Sequence, residues 1–155
     1  LLIGTSGAHN YHEDGVSVLS EKNVEYFRAL ASGYPRKAFI TEADLMVSVT
    51  LVDLSLAHLR LALNQNTVTT ASPIEHTQLD VGLDVNEIAL LVRGTGKSPQ
   101  FVGGNLQYEL PRVVEDGSRD WSFVKGEPVG SELNFRLIYD EGNSNPGGRF
   151  VIAIA

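Results

Sequence analysis

The sequence predicts a mainly β chain: an antiparallel two-sheet sandwich or barrel with one flanking α-helix. Three observations carry this. Apolar residues alternate with polar ones at period two through several separate segments. Only "DLSLAHLRLALN" carries leucines at helical spacing. Glycine- and proline-containing links separate the runs, as turns do between strands.

Taken in order, "GVSVLS" and "VEYFRAL" are short strand candidates near the N-terminus. "ASGYPRKAFITEA" follows as a long link, with Gly33 and Pro35 as turn formers, so residues 30–43 are expected to be a loop. "DLMVSVTLVD" places Leu45, Val47, Val49 and Leu51 on one face and Met46, Ser48, Thr50 and Val52 on the other. A helix is expected over 54–64, with Leu56, Leu59 and Leu63 in one stripe and Ala62 beside them. Asp53 or Ser55 caps its start and Asn64 closes it. Leu61 falls off that stripe, which suits contact with a neighbouring molecule.

"QNTVTTASPIEHTQLDVGLD" reads as a second long irregular stretch. "NEIALLVRG" is a nearly continuous apolar run, as in a strand covered on both faces. "NLQYELP" sets Leu106, Tyr108 and Leu110 against Gln107 and Glu109. "SELNFRLIYD" sets Leu133, Phe135, Leu137 and Tyr139 against Glu132, Asn134 and Arg136. "EGNSNPGG" is a hairpin tip, and "RFVIAIA" is a final strand.

At 155 residues one domain is expected, large enough to bury a core without staples. The absence of cysteine excludes disulfides and thiolate metal sites. The apolar run "LLI" is far too short for a signal or membrane segment, so no membrane contact is expected. The chain starts at Leu1 rather than methionine, which leaves room for residues upstream. The net charge of −7 and pI near 5.0 do not suit a ligand for nucleic acid, whose phosphates are bound by Lys and Arg. They suit a surface that repels polyanions.

No motif calls for an enzyme or a cofactor. "GTGKS" resembles the end of a phosphate-binding loop, but Leu91 stands where that loop needs its first glycine. Pro99 and strand-like residues follow where a helix should begin, so the segment reads as a hairpin turn. "HNYHED" gathers His9, His12, Glu13 and Asp14, yet Gly7, Asn10 and Gly15 point to a loop without metal geometry. No serine, histidine and acid come with a nucleophile-elbow glycine pattern. Trp121 and Phe123 share one strand face, which is more often core than a sugar platform. A carbohydrate-binding β-sandwich module remains the alternative reading.

The order of elements carries a resemblance. "DLMVSVTLVDLSLAHLRLALN" runs from strand into helix. "EIALLVRG", a Gly-rich turn and "LQYELPRV" follow, then "WSFVKGEPV", "SELNFRLIYD" and "GGRFVIAIA". This order, over roughly residues 39–155, resembles the tail tube protein (major tail protein) of long-tailed bacteriophages, and "LLIGTSG" is similar to that family's start. The resemblance implies a virion structural protein, assembled in the host cytoplasm and resident in the tail. Six subunits would form a ring, and rings would stack into a tube that conducts DNA into the host. The partners would be other copies of the chain, with tail tip, tape measure and tail terminator proteins. DNA would pass transiently and non-specifically. Ser48, Gln107, Glu109, Glu132 and Asn134 would line the lumen. Six copies at −7 would place about −42 in each ring, repelling phosphate. The link at 30–43 would reach an adjacent subunit or ring through Tyr34, Pro35, Arg36 and Lys37.

Overall fold

The computed structural model describes residues 2–4, 11–30, 33–52, 56–63, 68–71, 74–77, 79, 84–96, 98, 100–118, 125 and 130–153. The chain is mainly β, as its periodicity predicts. Its strands are β1 (Leu2–Gly4), β2 (Tyr11–Phe27), β3 (Lys37–Leu51), β4 (Val68–Ala71), β5 (Ile74–Thr77), β6 (Ile88–Gly94), β7 (Asn105–Glu115), β8 (Ser131–Leu137) and β9 (Arg149–Ala153). One helix among the described residues, α1 (Leu56–Ala62), follows β3. It lies inside the expected span, and its proposed caps Asp53, Ser55 and Asn64 lie outside the described residues.

Seven strands form one sheet in the order β1-β6-β7-β8-β3-β2, with β9 also paired to β7. All pairs are antiparallel except β1 with β6. β4 and β5 make a separate two-stranded hairpin. The expected sandwich is therefore realised as one curled sheet and one small hairpin. The curl brings β1 back near β2 without joining them as neighbours.

The core sits on the concave side. Val47, Val49 and Leu51 of β3, Leu133 and Phe135 of β8, and Leu110 and Val113 of β7 are buried there. Ile3 of β1, Leu90 and Val92 of β6, and Ala62 of α1 complete the cluster. Alternation explains the choice, since residues two apart share a face. β7 adjusts its parity in the middle. A register shift lies between the Ile88–Val113 and Leu90–Leu110 pairs, so both Leu110 and Val113 point into the core.

Three expectations are corrected. Residues 37–43 are strand, not loop: they pair with β2 from Lys37–Phe27 to Ala43–Lys22. The two weak N-terminal candidates are one 17-residue strand, which also takes in the backbone of Tyr11–Asp14, expected to be a turn. A register shift and the positive φ of Gly15 interrupt it there. β6 is not covered on both faces, because Ala89 is exposed and Leu91 and Arg93 are half-buried. Leu61, expected to meet a neighbour, is half-buried and packs in part against the core of its own chain, which leaves that expectation open.

β2 and β3 outrun the body of the sheet. β3 pairs with β8 only from Met46 to Leu51, and its first seven residues are all exposed. The outer half of the β2–β3 pair is a two-stranded ribbon, closed where the Arg36 amide donates to the Phe27 carbonyl at 2.9 Å. A second register shift lies between Asn23–Glu42 and Val24–Ile40, leaving Thr41 as the extra residue. Its hydroxyl donates to the Asn23 carbonyl at 3.4 Å. The shift exchanges parity along β3. Val24, Tyr26, Ala38 and Ile40 consequently continue the face that begins with Val16 and Val18.

Candidate functional site: a polar sheet face and an apolar ribbon

The side of the sheet opposite the core is polar because the alternate positions are polar. Ser48 of β3 stands opposite Asn134 of β8, and Thr50 opposite Glu132. Across β8, Arg136 pairs with Val114 of β7. Gln107 and Glu109 of β7 face Arg93 and Leu91 of β6 on one side and Val151 and Arg149 of β9 on the other. The five residues expected to line a lumen therefore lie on one face of one sheet. They form two groups, Ser48, Asn134 and Glu132 on β3 and β8, and Gln107 and Glu109 on β7.

Each group is tied internally. The Ser48 hydroxyl donates to Asn134 Oδ1 at 2.5 Å, and Asn134 Nδ2 donates to Glu132 Oε1 at 3.3 Å. Gln107 Nε2 donates to Glu109 Oε1 at 2.6 Å. Arg149 Nε donates to the other oxygen of Glu109. Neighbouring arginines on this face are also paired. Arg112 grips Glu87 with two bonds at 2.5 and 2.6 Å, a fork-to-fork geometry that fixes the guanidinium plane. Arg136 reaches Asp116 at 3.1 Å and Asp44 at 3.5 Å.

The titration of two carboxyls follows from these contacts. Hydrogen bonding from Arg149 holds Glu109 below the usual carboxylate range, helped by its charge and by Gln107. Hydrogen bonding from Arg112 lowers Glu87 in the same way, and Glu87 in turn raises Arg112. Partial desolvation opposes each shift without reversing it.

An open depression of about 440 Å³ lies over Leu91, Glu109, Pro111 and Arg149, walled by Asn143 and Asn145 of the tip after β8. That tip is a compact turn. The Asn143 amide donates to Asp140 and the Gly148 amide to Asn145. Gly148 is required there: its φ is +74°, and a Cβ would sit 2.8 Å from the Glu109 carbonyl.

The ribbon is the other half of the site. Tyr26 and Ile40 are 62% and 64% exposed, although they extend the apolar face of the body. Phe27, Leu30, Tyr34 and Phe39 are exposed around its end, and Lys37 Nζ lies 4.9 Å above the Phe39 ring. Of the residues expected at a subunit contact, Tyr34, Pro35, Arg36 and Lys37 are together here and exposed. Sequence reading missed Tyr26, Phe27, Phe39 and Ile40. Their signal was available as alternation, but it was broken by the extra residue at Thr41.

Thr95 and Gly96 of "GTGKS" form a turn after β6, as expected. Gly94 ends β6, Gly96 has φ +67°, and its amide donates to Asn105 Oδ1 at 3.3 Å. Lys97 and Pro99 lie outside the described residues, as do His9, Trp121 and Phe123. Among the described residues, no helix is long and apolar enough to cross a membrane.

No protein-family model matches this chain, and no curated protein matches it either.

Proposed function

We propose that this chain is a structural self-assembly protein, a tail tube subunit of a long-tailed bacteriophage. Copies associate into hexameric rings that stack into a tube for DNA. One observation carries the reading: the chain exposes a β-ribbon and strand edges that a solitary molecule has no use for. An isolated two-stranded ribbon is marginal in water and needs a further strand or a packed face. Here the ribbon presents Tyr26 and Ile40 to solvent, and no strand among the described residues pairs with the outer edge of β2 or of β9. Unpaired edges invite pairing with other chains. In a closed ring of identical copies that pairing is finite, because the last copy meets the first.

The polar face fits the same reading. A sheet joined edge to edge with its neighbours would turn Ser48, Gln107, Glu109, Glu132 and Asn134 towards one shared space. A surface rich in carboxylates and amides, whose described arginines are engaged by those carboxylates, suits the passage of a polyanion. The ribbon would reach an adjacent subunit or ring, with Tyr34, Pro35, Arg36 and Lys37 at its end. Tail tip, tape measure and tail terminator proteins would be the other partners in the virion. The basic end of the ribbon carries Arg28, Arg36 and Lys37 in an otherwise acidic chain, which suits docking on a carboxylate-bearing copy.

Negative-stain microscopy of the purified protein, with sedimentation at high concentration, tests the proposal. Rings about six subunits around, or tubes built from them, are the expected result. A monodisperse monomer at every concentration overturns it.

A further inference from the structure

The polar face holds arginines as well as carboxylates, which is at odds with a surface that only repels phosphate. Arginine is the side chain best shaped to bind a phosphate oxygen pair. On this face, however, each described arginine is already occupied. Arg112 is forked onto Glu87, Arg149 is bonded to Glu109, and Arg136 lies between Asp116 and Asp44. Arg93 is engaged as well. Other carboxylates of the face hold no cation in this way. Glu132 accepts from the neutral amide of Asn134, and Glu42 from that of Asn23. The carboxylates thus fall into two kinds, those that occupy a guanidinium and those that do not.

We propose that the carboxylates paired to arginine on this face act as masks, and that masking, rather than acidic charge alone, keeps duplex DNA from binding it. The inference rests on reading this face as the one that DNA passes. Its logic is geometric. Glu87 takes the two-donor edge of the Arg112 guanidinium that a phosphate would use, and Glu109 takes the Nε donor of Arg149. A phosphate must displace it and then tolerate the carboxylate left beside it. Removing an unpaired carboxylate changes the charge by the same amount but frees no donor. The two kinds of substitution should therefore differ, although net charge cannot tell them apart.

Two double variants test this on the purified full chain. Glu87→Gln with Glu109→Gln removes two masks. Glu42→Gln with Glu132→Gln removes two carboxylates that hold no arginine. Both raise the net charge by the same two units. Binding to a short DNA duplex is read by anisotropy from low to moderate salt. The unmasked variant is expected to bind at least ~10-fold more tightly than the matched variant at low salt. Its log–log salt slope should be steeper by about 1.8, the value for two added phosphate contacts. Adding Arg112→Gln and Arg149→Gln should abolish the gain. Circular dichroism establishes that each variant is folded, and Glu109→Gln alone serves if the double variant is not. Equal binding by the two doubles overturns the inference, as does no gain over the parent chain in either. The assay needs no tube, so its result and the microscopy of ring formation fail independently.

Discussion

The two halves of β3 belong to one strand and have opposite surroundings. From Met46 to Leu51 the strand is flanked by β2 and β8, and Val47, Val49 and Leu51 are buried. From Lys37 to Ala43 it is flanked by β2 alone, and every residue is exposed, Phe39 and Ile40 included. The difference lies in what stands above the face, not in the strand. Over the inner half the sheet curls onto itself, and Ala62 of α1 joins the same buried cluster. Over the outer half none of the described residues provides such a cover. β-propensity describes fit to a half-buried pleated surface, so a segment can satisfy it and still need a cover from elsewhere.

The sharpest way to break this comparison is to damage the inner half's support. Phe135 on β8 is 1% exposed and packs in the core beside Val47 and Val49. Phe135→Ala removes a large buried side chain and leaves a cavity, and is expected to lower stability by about 3–5 kcal/mol. Urea unfolding followed by circular dichroism measures it. A loss below about 1 kcal/mol, the ordinary range for a surface site, would mean that the curled body is not the stability core.

Matched truncations in the outer half should behave in the opposite way. Tyr26→Ser and Ile40→Ser remove exposed apolar surface that touches little in the single chain. Each is expected to change unfolding stability by less than about 0.5 kcal/mol. The same variants should prevent the protein from forming higher-order species in sedimentation. If either variant lost as much stability as Phe135→Ala, the ribbon would belong to the monomer's own core, and its role as a docking element would fall.

The contrast also explains what was legible in the sequence. Val47, Val49 and Leu51, Leu106 to Leu110, and Leu133 to Leu137 could be assigned to faces because one buried side imposes strict alternation. The five polar-face residues followed from the same parity, and register places all five on one face, in two groups. The β3 side of the ribbon reads as a loop because Gly33 and Pro35 announce a turn, and because the extra residue at Thr41 shifts the alternation by one. Both of its faces are exposed, so no burial enforces a pattern a reader could count. Leu61 lies off the stripe of Leu56, Leu59 and Leu63 yet packs against the core, because a helix of one or two turns beside a curled sheet contacts it over more than one stripe. The β4–β5 hairpin escaped notice because its four-residue strands are too short to show a period. Hexamer formation and DNA passage are not properties of one chain's local pattern, and they rest on the resemblance and on the exposed edges.

The smallest effect is expected on the polar face of the body, where stability depends on neither cover nor cavity. Glu109 is held below its ordinary titration range by Arg149, and both side chains are substantially exposed. A carboxyl whose folded-state value is depressed stabilises the fold above its unfolded value, near 4.5. That contribution fades as pH falls through the lower folded value, where the native carboxylate also takes up its proton. The stability difference between the parent chain and Arg149→Gln should accordingly be present at pH 7 and vanish in acid below that range. It should also shrink in high salt, because an exposed pair is screened. Urea titrations at pH 7 and pH 3, each at low and high salt, give the four values needed. A difference that persists unchanged at pH 3 would show that Arg149 supports the β7–β9 junction through packing of its stem rather than through its charge. The polar face would then share the structural role of the core side, and the distinction drawn between a covered face that holds the fold and open surfaces left for partners would lose one of its terms.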